Sequence, residues 1–154
     1  MAPRWKYDVF LSFRGKDIRN SFVSHLHNAM RRKGIIPFKD DRELERVKPI
    51  SEDIDKAINN SRFFVVIFSK NYASSTWCLS ELLTILNCMK QGTQTILPIF
   101  YRVDPSEVRK QTGDFAEAFA DHEKAFSDNR QRVDEWRAAL TQVANISGWN
   151  SCHK

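Results

Sequence analysis

Trp77, Glu81, Thr84 and Cys88 stand four, three and four residues apart. On a helix that spacing gathers them into one narrow stripe and sets a large aromatic one turn from a carboxylate. A ring beside an acid offers a shelf and a charge to a flat, cationic ligand. Leu79, Leu82, Leu83 and Leu86 form a second stripe at the helical period, roughly opposite, and read as the core face. The sequence thus predicts a helix with two faces, Trp77 and Glu81 turned away from the core. A solvated face with an incidental Trp is the plainer reading, but an indole is seldom left in water without a partner. Ser74, Ser75 or Thr76 can cap this helix, which places Glu81 in its second turn.

The elements that must position this helix come from a chain of 154 residues, 42% of them hydrophobic, with 11 Phe and 4 Trp. That is enough for one substantial core and one domain, residues 1–154, with 1–5 and 151–154 expected as tails. No run approaches the roughly 18 apolar residues of a membrane span, and the start, Met1 to Tyr7, lacks the apolar stretch of a signal peptide, so no membrane contact and a cytoplasmic address are expected. Cys78, Cys88 and Cys152 are odd in number and lack paired CxxC spacing, and the histidines have no metal spacing. Free thiols and no metal site are predicted. A net charge of +5 allows weak attraction to polyanions without making the chain a nucleic-acid binder.

Along the chain, Tyr7–Phe13 reads as a strand running into the loop Arg14-Gly15-Lys16-Asp17. A helix follows, capped by Asp17 or Asn20, with Phe22, Leu26, Ala29 and Met30 as its buried stripe. Residues 35–38 form a short strand whose Pro37 marks an edge. Asp40 to Lys48 is a charged loop, and Ser51 opens a helix with Ile54, Ala57 and Ile58 inward. Phe63–Phe68, apolar throughout, predicts a central strand covered on both faces. After the Trp77 helix, residues 95–101 give a fourth strand that Pro98 places toward the sheet margin. Asp104-Pro105 starts a short helix ending near Gly113. Two amphipathic helices close the chain, one burying Phe115, Ala118, Phe119 and His122, the other Val133, Trp136, Leu140 and Val143 up to Gly148. Strands alternating with helices predict a doubly wound α/β domain, a five-stranded parallel sheet in order 2-1-3-4-5, with ligands beyond the carboxyl ends of the strands.

The loops exclude several chemistries. Phe68-Ser69-Lys70 lacks the acid that phosphoryl transfer on a receiver domain needs, and Gly15 stands alone where a dinucleotide or P-loop fingerprint needs several glycines. No Ser-His-Asp or Cys-His signature can be assembled, and Cys78 reads as structural rather than as a nucleophile.

Four ordered segments carry a resemblance: Tyr7 to Gly15, Phe38 with the acidic loop after it, Ser75-Thr76-Trp77-Cys78-Leu79-Ser80-Glu81-Leu82, and Leu97 to Arg109. Over nearly the whole chain the sequence resembles the Toll/interleukin-1 receptor (TIR) domains of plant intracellular immune receptors. The resemblance implies a flavodoxin-like fold and, in assembled form, cleavage of the nicotinamide glycosidic bond of NAD⁺ or NADP⁺ as substrate, with no tightly bound cofactor. It makes Glu81 the catalytic residue and places Phe13, Arg14, Gly15, Trp77 and Cys78 along the substrate pocket. It assigns Asp40, Asp41, Arg46, Val47 and Lys48 to a loop packed on a neighbouring protomer, with Val47 where Gly is usual, and Ser24 and His25 to a second self-association contact. Partners so implied are other TIR domains, in immune and cell-death signalling, in the cytoplasm or the nucleus. Two further readings stay open: a non-enzymatic TIR–TIR adaptor, and a nucleic-acid-dependent cyclic-nucleotide synthetase. The family's last helix has no counterpart before Lys154, so it is expected to be absent.

Overall fold

The computed structural model describes residues 5–39, 52–89, 94–146 and 149–150. Its strands are β1 (Tyr7–Ser12), β2 (Pro37–Lys39), β3 (Ser61–Phe68), β4 (Thr95–Phe100) and the two-residue β5 (Trp149–Asn150). All pair in parallel in the order β2-β1-β3-β4-β5, the doubly wound arrangement expected from the sequence. The helices are α1 (Gly15–Ile18), running through a π segment (Arg19–Val23) into α2 (Ser24–Arg32), then α3 (Glu52–Asn59), α4 (Thr76–Met89), α5 (Pro105–Lys110), α6 (Asp114–Ala125) and α7 (Arg130–Ala144). A 3₁₀ turn, Tyr72–Ser74, leads into α4. Among the described residues no helix follows β5.

Strand alternation divides the core in two. Phe10, Phe64, Val66 and Phe68 face a thick layer built by α3, α4, α6 and α7, where Ile54, Ile58, Leu79, Leu82, Phe119, Trp136 and Leu140 are buried. Val9, Leu11, Val65, Ile67 and Ile99 face a thinner layer closed by Phe13, Ile18 and Val23. The predicted stripes of α3, α6 and α7 are buried as read.

The thin layer departs from expectation. Phe22, Leu26, Ala29 and Met30 are only half-buried, because no second helix lies over them among the described residues. The helical segment begins at Gly15, before either Asp17 or Asn20 could cap it. Coverage of β3 on both faces holds from Phe64 to Phe68 but not at Phe63, which is 39% exposed beside Leu97 of β4, 43% exposed. β4 is an interior strand, flanked by β3 and β5. The margin position that Pro98 suggested is therefore not observed; among the described residues β5 pairs with Ile99 and Phe100. α5 carries a full capping box from Asp104 and Glu107 with Pro105 in its first turn, and ends at Gln111 in the left-handed region (φ 50°), ahead of Gly113. The predicted stop at Gly148 lies outside the described residues.

The two layers should respond differently to truncation. Phe64→Ala, at a site with no exposure, is expected to cost about 3–5 kcal/mol in urea unfolding. Leu97→Ser should cost less than about 1 kcal/mol, since that side chain is already in contact with water.

Candidate active site

Helix α4 is buried around most of its circumference, and this corrects the two-faced reading. Trp77 is 5% exposed and Glu81 only 2%, whereas Leu83, assigned to the core stripe, is half-buried along with Thr84 and Cys88. The cause is tertiary: α4 lies against β1 and is also enclosed by α3, α7 and the 3₁₀ turn before it. Cys78 and Ile85, between the two stripes, carry the sequence signal for this, because a helix apolar all round is a buried one. Ser75 is the cap, its Oγ accepting the Cys78 N–H at 3.1 Å.

The loop after β1 is packed against the start of this helix. Phe13 is 5% exposed and Arg14 9%, Gly15 is buried, and the Cys78 thiol donates to the Phe13 carbonyl at 3.5 Å. Cys78, 1% exposed, is therefore a structural tie, as its type and position suggested. The Tyr72 hydroxyl lies 2.9 Å from Ser12 Oγ and donates to the Cys78 carbonyl at 3.3 Å, joining the same two segments. The five predicted pocket residues and Glu81 thus belong to two abutting elements at the carboxyl end of β1.

Arg14 is the unusual member. Its Nε and Nη1 are buried and have no hydrogen-bond partner among the described residues. An unsatisfied buried donor costs about 1–3 kcal/mol, and more when charged, so the Arg14 guanidinium calls for a partner, a ligand or an ordered water. A guanidinium presents a planar fork that suits a carboxylate or a phosphate.

Other predicted residues lie elsewhere. His25 is exposed and Ser24 half-buried at the start of α2, on the thin layer, so the sheet separates them from Glu81. Asp40, Asp41, Arg46, Val47 and Lys48 lie outside the described residues. An open recess of about 300 Å³ lined by Ile18, Ser69, Lys70, Asn71, Tyr101 and Arg102 lies at the carboxyl ends of β3 and β4 and includes neither Trp77 nor Glu81. Among the described residues no His, Cys, Asp or Glu cluster could hold a metal ion, and no helix is long and apolar enough to cross a membrane.

Sequence reasoning missed Ser12, Tyr72 and the second role of His122. The His122 ring packs edge-on to Phe119 and Trp136, while its Nε2 lies 2.7 Å from the Ala73 carbonyl and fastens the 3₁₀ turn. An aromatic residue in the otherwise polar segment between β3 and α4 was the available sign for Tyr72.

A five-stranded parallel sheet with its acid on the helix after the third strand defines the class, and the family model described as TIR domain matches residues 6–154. The chain belongs to the TIR domain family. It is 50% identical over 147 residues to TMV resistance protein N of Nicotiana glutinosa, covering 96% of this chain and 13% of that protein. It is 52% identical over 144 residues to Disease resistance protein RPV1 of Vitis rotundifolia, covering 94% of this chain and 10% of that protein. It therefore spans a small part of these relatives' length. Among solved structures, the TIR domains of the activated Roq1 resistosome, which directly recognises the pathogen effector XopQ, superpose with a TM-score of 0.90 at 55% identity, over 97% of this chain and 90% of that one. The TIR domain of the Toll-related receptor TRR-2 from Hydra magnipapillata, 19% identical with a TM-score of 0.55, shares the fold.

Replacing Arg14 by Met removes two unsatisfied donors and keeps most of the volume. Arg14→Met is expected to raise stability to urea by about 1–2 kcal/mol while weakening binding of any phosphate-bearing ligand; a destabilised variant would mean that the guanidinium is satisfied in solution.

Proposed function

We propose that this chain is a TIR domain of plant immune signalling that cleaves NAD⁺ or NADP⁺ at the nicotinamide–ribose bond when self-associated. The observation that carries the proposal is the buried Arg14, its Nε and Nη1 unsatisfied, on the loop that abuts the helix of Glu81. A dinucleotide supplies both features these residues call for: a diphosphate for a guanidinium and a cationic ring on a ribose for a carboxylate. Nicotinamide takes the bonding electron pair and departs neutral, so no general acid is required for the leaving group. The remaining demand is to hold the ribose and stabilise the oxocarbenium ion at C1′, the role of an ionised Glu81. Water then attacks C1′ and releases a proton to solvent. Trp77 offers a flat surface for the base, and Phe13, Gly15 and Cys78 fix the wall.

Burial explains why assembly matters. With Glu81 at 2% exposure and Trp77 at 5%, a substrate enters only if the segments around them rearrange, and a neighbouring protomer can supply the energy for the rearranged state. The presence of the similar Roq1 TIR domains in an activated resistosome supports this reading, and exposed His25 with half-buried Ser24 on α2 is the contact proposed for it. The immune context rests on similarity to disease resistance proteins, and the compartment expected for it is the cytoplasm or the nucleus.

NAD⁺ turnover is expected to rise per molecule with protein concentration. Glu81→Ala should lower it by about 10²–10³-fold with an unchanged circular dichroism spectrum. His25→Ala should lower it at dilute protein and regain it at high concentration. No turnover by the unaltered protein at any concentration would leave the non-enzymatic adaptor reading in its place.

A further inference from the structure

We infer that Tyr72 is a positioning residue of this site, its hydroxyl setting the distance between the loop that carries Arg14 and the start of the helix that carries Glu81. The inference rests on the function proposed above.

Tyr72 has no exposure, and its ring meets Phe68 edge-on at 5.0 Å, so the side chain is held in one place. With its own proton given to the Cys78 carbonyl at 3.3 Å, its oxygen accepts from Ser12 Oγ at 2.9 Å. The relay Ser12 to Tyr72 to Cys78 therefore spans from the last residue of β1 to the first turn of α4. Ser12 lies two residues before Arg14, and Cys78 three before Glu81, about one helical turn away. Cys78 is tied at three atoms: its N–H to Ser75, its carbonyl to Tyr72 and its thiol to the Phe13 carbonyl. The thiol contact is a weak hydrogen bond, and the 2.9 Å bond between Ser12 and Tyr72 is the shortest link of the junction. His122 steadies the turn that presents Tyr72 through its contact with the Ala73 carbonyl.

Core packing alone would need only the ring of Tyr72, and Phe would serve it. The hydroxyl adds what a phenyl cannot, a directional bond to each half of the site, and small errors of placement between reacting groups cost about 10²-fold in rate.

Two variants separate positioning from stability. Tyr72→Phe leaves the buried Ser12 hydroxyl without its partner and is expected to lower the melting temperature. Combining it with Ser12→Ala removes both polar groups and should restore much of that loss. If the relay only stabilises, turnover recovers with stability in the double variant. If it positions, kcat stays about 10–100-fold below that of the unaltered protein in both, KM changes far less, and the two substitutions are non-additive in kcat.

Amide hydrogen exchange gives a second readout that does not depend on catalysis. Tyr72→Phe is expected to speed exchange together in residues 12–15 and 76–82 and to leave α6 and α7 unchanged. Unaltered protection in both segments, or kcat restored with stability, overturns the inference. An unaltered protein that never turns over NAD⁺ overturns the proposed function instead, and the exchange result then decides the relay alone.

Discussion

A single residue of α4 makes three hydrogen bonds, of which the one to Phe13 reaches the loop after β1 directly and the one to Tyr72 reaches β1 through Ser12. Cys78 donates its N–H to Ser75 and its thiol to the Phe13 carbonyl, and its own carbonyl accepts from the Tyr72 hydroxyl, so the start of α4 and the loop after β1 are fixed relative to each other. This junction is what lets a small domain keep charged groups in its interior. A carboxylate at 2% exposure and a guanidinium at 9% are both costly to desolvate. The stability of the thick layer, with Trp136, Phe119 and Leu82 behind α4, supports that arrangement.

The two faces of the sheet divide the work. The thick layer is closely packed and holds Glu81, Trp77 and Cys78, while the thin layer leaves Phe63 and Leu97 in water and carries His25 on an exposed helix. The sheet thus carries closely packed scaffolding on one side and accessible surface on the other. This division explains why a helix as long as α2 buries none of its own residues: Ile18 and Val23, just before it, make the deep contacts.

Local signals gave the readings that held. β3 announced itself as a run of apolar residues, α6 and α7 as stripes at the helical period, and α5 through Asp104, Pro105 and Glu107, all features that act within one element. The readings that changed required distant partners. Helical spacing set Trp77 and Glu81 on a common stripe, but not which side of that stripe met water, because α7 and α3 close over α4 from far along the chain. Tyr72 passed as a loop residue for the same reason, since Ser12 lies 60 positions before it.

What the sequence by itself determined was the order of elements, their periodicity and the motif that makes Glu81 and Arg14 candidates, since these depend on residue types at short spacing. Only the tertiary structure decided that the acid and the aromatic are buried, that Arg14 keeps two donors unsatisfied and that a tyrosine hydroxyl bridges β1 to α4. Burial and hydrogen-bond satisfaction are properties of every neighbour at once, and those neighbours are assembled by the fold rather than by the local order of residues.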